Sequence, residues 1–256
     1  VPAAQDVARA AGVTVIDTAE EAVTGADAVV TMLPNGGIVK AVYESVLPHA
    51  APGTLFIDSS TISVDDARAV HALAEAAGMQ QVDAPVSGGD DGAIAGTLSI
   101  MMGGAEEDCA LAAAVLAPCG TPVRLGPLGA GQVAKACNQL VVAATIAALG
   151  EATVLADRSG IDLGTMWDLL GGGYAASRLL DTRKEKLVTG DDAPSGMAKY
   201  LLKDLKSGAE VAAATGTEAA LLPALLAEFE EIVAAGLGER DMSVTRRFVA
   251  ERRAKE

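Results

Sequence analysis

Lys135 is the side chain whose surroundings point most directly to chemistry. It lies near the start of the apolar stretch 133–155, in which Glu151 is the only other charged residue. Asn138 follows three residues later and would share its face in a helix. An ammonium inside an apolar helix costs free energy unless it is paired or used, and such a group can donate a proton or hold an anion. The alternative is a lysine that reaches solvent from the end of the helix.

The charge of the chain and the length of its apolar stretch argue against two classes of partner. The net charge is −15 and the isoelectric point is about 4.5. This balance argues against nucleic acid and against an anionic membrane surface. The charge-free part of the apolar stretch, 136–150, is only 15 residues long, which is short for a membrane span. We therefore expect neither partner.

The metal-binding residue types are few and scattered. Cys109, Cys119 and Cys137 lack metal-binding spacing, and His49 and His71 are far apart in sequence. We therefore expect no metal site and no histidine-based triad. Three cysteines cannot all pair, which favours a reducing compartment and a cytoplasmic location.

Strand and helix patterns alternate through the first half of the chain, which predicts an α/β fold with a largely parallel, doubly wound sheet. Strands are predicted at 13–16, 27–33, 54–57, 79–82, 98–102 and 122–125, and capped helix starts are predicted at Thr18 and Ser63. Ligands of such sheets bind beyond the carboxyl ends of the strands. Three motifs each follow a strand: Met32-Leu33-Pro34, Ser60-Thr61 and Ser87-Gly88-Gly89.

The second half of the chain is predicted to be all-α, because strand patterns stop after Gly131. Helical periodicity covers 132–158, 163–171, 175–188, 197–215, 221–235 and 243–253. We place a sheet domain at 1–127 and a helical domain at 128–256.

A glycine motif at the junction imitates a dinucleotide-binding fingerprint. Gly126, Gly129 and Gly131 follow a strand and open a helix, and Glu151 lies 20 residues beyond Gly131. The glycine spacing is reversed, however, and no strand precedes Glu151 to carry it to a ribose. We reject this motif as a cofactor site.

Five motifs together resemble the β-hydroxyacid dehydrogenase family, which includes 3-hydroxyisobutyrate dehydrogenase and tartronate semialdehyde reductase. The resemblance covers essentially the whole chain. Its carriers are Thr31-Met32-Leu33-Pro34, Asp58-Ser59-Ser60-Thr61, Asp83-Ala84-Pro85-Val86-Ser87-Gly88-Gly89, Gly129-x-Gly131-x-x-x-Lys135-x-x-Asn138 and Lys203-Asp204-Leu205.

The resemblance implies a Rossmann-like domain followed by an all-α domain of the 6-phosphogluconate dehydrogenase C-terminal type. It also implies that about 30 N-terminal residues, with the glycine-rich turn, are lacking. The implied reaction is NAD- or NADP-dependent interconversion of a small β-hydroxy acid and its semialdehyde or oxo acid. A homodimer or homotetramer formed through the helical domain is implied as well.

The resemblance also assigns roles to single residues. Lys135 is implied as the catalytic general acid. Substrate-binding roles fall to Ser87, Gly88, Gly89 and Asn138, and cofactor-binding roles to Met32, Leu33, Pro34, Thr61 and Lys203. The alternative function is a catalytically silent, cofactor-deficient relative that acts as a ligand-binding or oligomerising module.

Overall fold

The computed structural model describes residues 2–252 of the chain, and side chains from residue 5 onward. Contacts within the chain divide it into two compact units. Unit 1 comprises Val1–Gly88 and Gly92–Gln132, and unit 2 comprises Gly89–Asp91 and Val133–Glu256.

Unit 1 is built on one six-stranded sheet. Its strands are β1 (Ala28–Thr31), β2 (Leu55–Asp58), β3 (Gln80–Asp83), β4 (Val86–Ser87), β5 (Leu98–Gly103) and β6 (Gly120–Gly126). The order is β1-β2-β3-β5-β4, with β6 paired to β5. Pairing is parallel from β1 through β3 and between β5 and β6, and antiparallel where β5 meets β3 and β4. The sheet is therefore mixed, with a parallel half that carries the first two predicted ligand motifs.

The sheet region contains six described α-helices, three of which begin at a capping side chain. They are α1 (Pro2–Ala10), α2 (Ala19–Val23), α3 (Gly36–Val46), α4 (Val64–Ala76), α5 (Gly89–Ala95) and α6 (Glu106–Leu116). The predicted caps at Thr18 and Ser63 are confirmed, since each side-chain oxygen accepts a hydrogen bond from a backbone N–H of the first turn, at 3.2 and 3.0 Å. Asn35 caps α3 in the same way.

The strand β2 is covered on both faces, as its apolar run favours. Phe56 packs with Tyr43 and Val70 on one face of the sheet. Its neighbour Ile57 belongs to a second cluster on the other face, with Val82 among its members. Successive side chains of a strand point to opposite faces, so one strand serves both cores.

One predicted strand is wrong. Residues 13–16 adopt no regular secondary structure, and Val13 and Ile16 are exposed. A strand needs a neighbour to take up its backbone hydrogen bonds. Among the described residues β1 pairs only with β2, and no strand lies beside 13–16.

Unit 2 is helical, as predicted. After α7 (Ala130–Arg158), which begins in the last residues of unit 1, it contains α8 (Leu163–Leu170), α9 (Arg178–Thr189), α10 (Ala198–Thr215), α11 (Leu222–Ala234) and α12 (Thr245–Glu251). Apolar side chains at helical spacing form one core, including Ile146, Leu187, Leu201, Leu205 and Phe229. The predicted helix 243–253 ends earlier, at Glu251, and residue 253 lies outside the described residues.

The helix α7 has the length and apolar composition of a membrane span, as the only such helix among residues 2–252. Within its most apolar 18-residue window, 44% is buried inside the structure. Core helices of water-soluble proteins have the same properties, so these two criteria alone do not indicate a span.

Candidate active site

Lys135 is buried in the second turn of α7, with 7% of its surface exposed. The interpretation of Lys135 as a lysine that reaches solvent is therefore wrong. Burial is the largest influence on the ammonium and lowers its pKa. The negative charge of Asp204 opposes this shift, and the positive charge of Lys203 reinforces it. Lys135 is thus held in surroundings that ease the loss of its proton.

A chain of amide hydrogen bonds connects α7 to α10 inside unit 2. The side-chain amide of Asn138 donates to Gln139 Oε1 at 2.8 Å. Gln139 Nε2 in turn donates to Asp204 Oδ2 at 2.5 Å. Lys203 Nζ lies 3.3 Å from the other oxygen of Asp204. Unit 2 therefore gathers three predicted site residues, Lys135, Asn138 and Lys203, around the buried carboxylate of Asp204.

The carboxyl ends of β1 and β2 form a second polar centre, in unit 1. Thr31 and Asp58 are direct partners in the parallel register, and the Thr31 hydroxyl donates to Asp58 Oδ1 at 2.8 Å. The backbone N–H of Ser60 donates to the same oxygen, and Ser60 Oγ accepts from Leu33 N–H at 2.8 Å. Burial raises the pKa of Asp58 above its ordinary value, while the hydrogen bonds from Ser60 and Thr31 act against that rise.

The same centre presents the predicted cofactor-binding residues on the accessible side. Met32 is 64% exposed and Pro34 is exposed, while Leu33 and Thr61 are partly buried. They follow adjacent parallel strands, where doubly wound sheets bind nucleotides. The structure thus leaves an accessible apolar surface at these strand ends, of the kind against which the rings of a nucleotide can pack.

The turn Ser87-Gly88-Gly89 requires its glycines. Gly88 has φ +140° and Gly89 has φ +63°, backbone conformations that residues with a side chain rarely adopt. A Cβ on Gly88 would also lie 2.9 Å from Leu98 Cδ2. Ser87 pairs with Ser99 on β5 and is partly buried. Ser87 supplies a hydroxyl next to two glycines whose backbone no side chain shields, a combination suited to an anion.

Asp83 holds the first turn of α7. Its two carboxylate oxygens accept from Gly129 N–H at 2.7 Å and from Gln132 N–H at 2.9 Å. A Cβ on Gly131 would lie 2.6 Å from Asp83 Oδ2. The glycine motif that imitates a fingerprint thus makes room for the carboxylate of Asp83. Burial raises the pKa of Asp83 to about 6, and its two backbone donors limit the rise.

Sequence reasoning missed the roles of Asp58, Gln132 and Gln139. Gln132 is buried and donates through Nε2 to Ser60 O at 2.8 Å. Both glutamines lie within four residues of Lys135 on the apolar helix. A polar amide next to a buried lysine in such a helix is the signal that could have identified them.

No group of three or more His, Cys, Asp or Glu side chains among the described residues is placed to hold a metal ion.

Two family profiles together match nearly the whole chain. Residues 1–134 match the NAD binding domain of 6-phosphogluconate dehydrogenase. Residues 129–249 match the NAD-binding domain of NADP-dependent 3-hydroxyisobutyrate dehydrogenase.

Individual relatives give the same result. A probable 3-hydroxyisobutyrate dehydrogenase of Mycobacterium tuberculosis is 44% identical over 86% of this chain and 78% of the relative. The NAD-dependent L-serine dehydrogenase of Pseudomonas aeruginosa is 34% identical over 97% and 87%.

A solved structure agrees with these sequence relatives. The Mycobacterium tuberculosis 3-hydroxyisobutyrate dehydrogenase with L-serine superimposes with a TM-score of 0.85 at 40% identity, over 97% of this chain and 88% of that one. Sequence profiles, relatives and the solved structure therefore agree on one family. The chain belongs to the β-hydroxyacid dehydrogenase family, the NAD(P)-dependent oxidoreductases that act on the hydroxyl group of small hydroxy acids.

Proposed function

We propose that this protein interconverts a small β-hydroxy acid and the corresponding semialdehyde or oxo acid, with Lys135 as the group that moves the proton. The observation that carries the proposal is the burial of Lys135 in α7, because burial lowers the pKa of the ammonium and so makes its proton easier to transfer than that of an exposed lysine. A bound nicotinamide supplies the hydride acceptor in oxidation and the hydride donor in reduction.

The proton step runs through Lys135 Nζ. In oxidation the neutral amine accepts the proton of the substrate hydroxyl, and in reduction the ammonium returns it to the developing alkoxide. Asp204 keeps the protonated form accessible, because its charge opposes the effect of burial on the pKa. The balance between burial and Asp204 would thus set the pH at which each direction runs.

Four residues are proposed to bind the substrate. Ser87, Gly88 and Gly89 would hold its carboxylate through a hydroxyl and backbone N–H groups. The positive φ values of the two glycines support this role, since they let the backbone approach an anion closely. Asn138 would donate a hydrogen bond to the substrate oxygen, and its link to Gln139 keeps the amide oriented.

Cofactor binding is assigned to the ends of the parallel strands and to α10. Met32, Leu33 and Pro34 would pack against the adenosine side, and Thr61 would lie near the nicotinamide side. The exposure of Met32 and Pro34 beyond β1, whose neighbour β2 leads to Thr61, supports the assignment. Lys203, which forms an ion pair with Asp204, would contact the cofactor from the helical part of the chain.

The two parts of the chain are assigned different tasks. Residues 1–127 would form the cofactor-binding domain and residues 128–256 the substrate and oligomerisation domain. Apolar side chains exposed on unit 2, such as Val141, Leu155 and Leu169, support a homodimer or homotetramer formed by this domain. We place the enzyme in the cytoplasm, where its three free cysteines would stay reduced.

A spectrophotometric assay of nicotinamide reduction tests the function. The purified protein would be given NAD or NADP with 3-hydroxyisobutyrate or L-serine, the compounds named in its relatives. Reduction of tartronate semialdehyde would be followed in reverse. Turnover that depends on the substrate carboxylate is expected, and the corresponding amides should react poorly. If neither cofactor supports turnover of any of these acids, the proposal fails.

The alternative of a catalytically silent ligand-binding module gains no support from the relatives, which are named as dehydrogenases.

A further inference from the structure

Gln132 makes three hydrogen bonds in the first turn of α7, and only 2% of its surface is exposed. Its backbone N–H donates to Asp83 Oδ2 at 2.9 Å. Its side-chain Nε2 donates to the carbonyl oxygen of Ser60 at 2.8 Å. Its side-chain Oε1 accepts from the backbone N–H of Ile62 at 3.2 Å. The whole residue is therefore held in place inside unit 1.

The two side-chain bonds of Gln132 lie on either side of one residue. Ser60 and Ile62 are the neighbours of Thr61 in the chain. The side-chain amide of Gln132 therefore forms hydrogen bonds with the backbone on both sides of Thr61. A side-chain amide is suited to this task because it offers a donor and an acceptor at once. Neither a carboxylate nor an ammonium could satisfy both peptide groups.

Ser60, the residue before Thr61, is also held by β1 and β2. The backbone N–H of Ser60 donates to Asp58, and Ser60 Oγ accepts from Leu33. Asp83 in turn fixes the start of α7 through Gly129 and Gln132. The position of Thr61 thus depends on β1 and β2 on one side and on the amide of Gln132 on the other.

We propose that Gln132 is a positioning residue that sets the conformation of the Thr61 loop for cofactor binding. The inference rests on the cofactor-binding role proposed for Thr61. Gln132 acts through the backbone of Ser60 and Ile62 and is not itself a contact of the cofactor. Its loss should weaken cofactor binding more than it slows the chemical step.

The first test compares two buried glutamines. Gln132→Met keeps the length of the side chain and removes the two hydrogen bonds that the side chain makes. Gln81→Met is the matched control, because Gln81 is buried in β3 of the same unit and its Oε1 makes no hydrogen bond. We expect Gln132→Met to raise the KM for cofactor about tenfold with kcat changed less than threefold, the pattern of lost binding. The control should change neither value by more than about twofold.

The second test uses the pH dependence of Gln132→Glu. An ionised carboxylate would repel the carbonyl oxygen of Ser60, whereas a protonated carboxyl could donate to it. Two carboxylates belong to the same hydrogen-bond network: Asp83 of β3 accepts from the backbone N–H of Gln132, and Asp58 of β2 accepts from that of Ser60. Lys135 follows Gln132 three residues later on α7. The two carboxylates would raise the pKa of the new carboxyl group. We expect its cofactor Kd, divided by that of the wild type at the same pH, to fall as the pH is lowered.

A third measurement does not need activity. Hydrogen exchange of the Ile62 amide should become at least tenfold faster in Gln132→Met and remain unchanged in Gln81→Met, because only the first variant removes the acceptor of that N–H. This result would stand even if the protein turned over no hydroxy acid, so it separates this inference from the proposed function. If Gln132→Met fails to fold, the pH series of Gln132→Glu decides.

Three results would overturn the inference: equal losses of cofactor affinity in Gln132→Met and Gln81→Met, a Kd ratio of Gln132→Glu that does not vary with pH, or an Ile62 amide that exchanges at the wild-type rate.

Discussion

In unit 1 the buried carboxylates of Asp58 and Asp83 accept hydrogen bonds from the strand ends and from the start of α7. In unit 2 the buried ammonium of Lys135 responds mainly to burial, with Asp204 as its opposing charge. Burial favours the neutral form of all three groups. Asp83 holds backbone N–H groups with both of its oxygens and Asp58 holds one with Oδ1, so we interpret both carboxylates as structural. The comparison shows that burial of a charge does not by itself identify a reactive group; the partners of that charge matter as well.

The largest expected effect is on catalysis by the buried ammonium of Lys135. Lys135→Ala should lower kcat by roughly two to four orders of magnitude, because general acid–base catalysis contributes about that much. Folding should be retained, since the variant removes a charge whose burial is unfavourable. Steady-state kinetics and thermal unfolding measure both quantities. Lys206→Ala on α10, whose lysine pairs with Glu230 at the surface, is the control and should keep its activity. Near-normal turnover of Lys135→Ala would remove Lys135 from the mechanism.

The variant Asp83→Asn tests how a buried structural carboxyl group changes the stability of the protein with pH. The folded-state pKa of Asp83, about 6, lies above the ordinary value of 3.8. Its ionisable carboxyl therefore favours folding fully below pH 3.8, and this contribution is lost as the pH rises through about 6. The amide of the variant does not titrate. The free energy of unfolding of the wild type minus that of Asp83→Asn should therefore fall between about pH 4 and pH 6.5, by on the order of 3 kcal/mol.

Denaturant titrations of both proteins across this range measure the difference, and the other carboxyl groups cancel in it to first order. A difference that grows with pH would contradict the assignment.

Gly131→Ala asks whether the start of α7 has room for a side chain. The added Cβ would meet Asp83 and the carbonyl oxygen of Met101, so we expect a loss of about 1–3 kcal/mol in the free energy of unfolding. Gly164→Ala in α8 is the matched control in unit 2. Its Cβ would meet only Asp162 Oδ1, at 3.6 Å, and alanine should stabilise this helix by up to about 1 kcal/mol. Equal changes in the two variants would show that the packing around Asp83 is loose.

The smallest effect is expected for Asp204→Asn. The carboxylate of Asp204 raises the pKa of Lys135, so its removal should lower that pKa further. Oxidation needs the neutral amine, and its rate rises with pH through the pKa of Lys135. The acidic limb of the profile of kcat/KM for oxidation should thus move to lower pH, with the plateau changed by less than about tenfold. A limb that moves to higher pH would mean that Asp204 does not stabilise the ammonium.

Much of the architecture could be predicted from local patterns. The strand patterns predicted β1, β2 and β3 to within a residue or two, and the caps at Thr18 and Ser63 marked two helix starts correctly. The run at 13–16 was wrong because a strand depends on a neighbour that a local pattern does not reveal. The short strand β4 and the helix α5 were missed because they are brief and rich in glycine.

The candidate site also has features that the sequence predicts and features that only the structure shows. The chain itself determined that one lysine stands in an apolar helix and that polar motifs follow successive strands, because residue type and spacing are local properties. Only the tertiary structure decided which partners those residues have: Gln139 for Asp204, Asp83 for the glycine-rich start of α7, and Gln132 for the peptides beside Thr61. Gln132 lies 70 residues from Ile62 in sequence, and a hydrogen bond of that span exists only once the sheet and α7 have packed together.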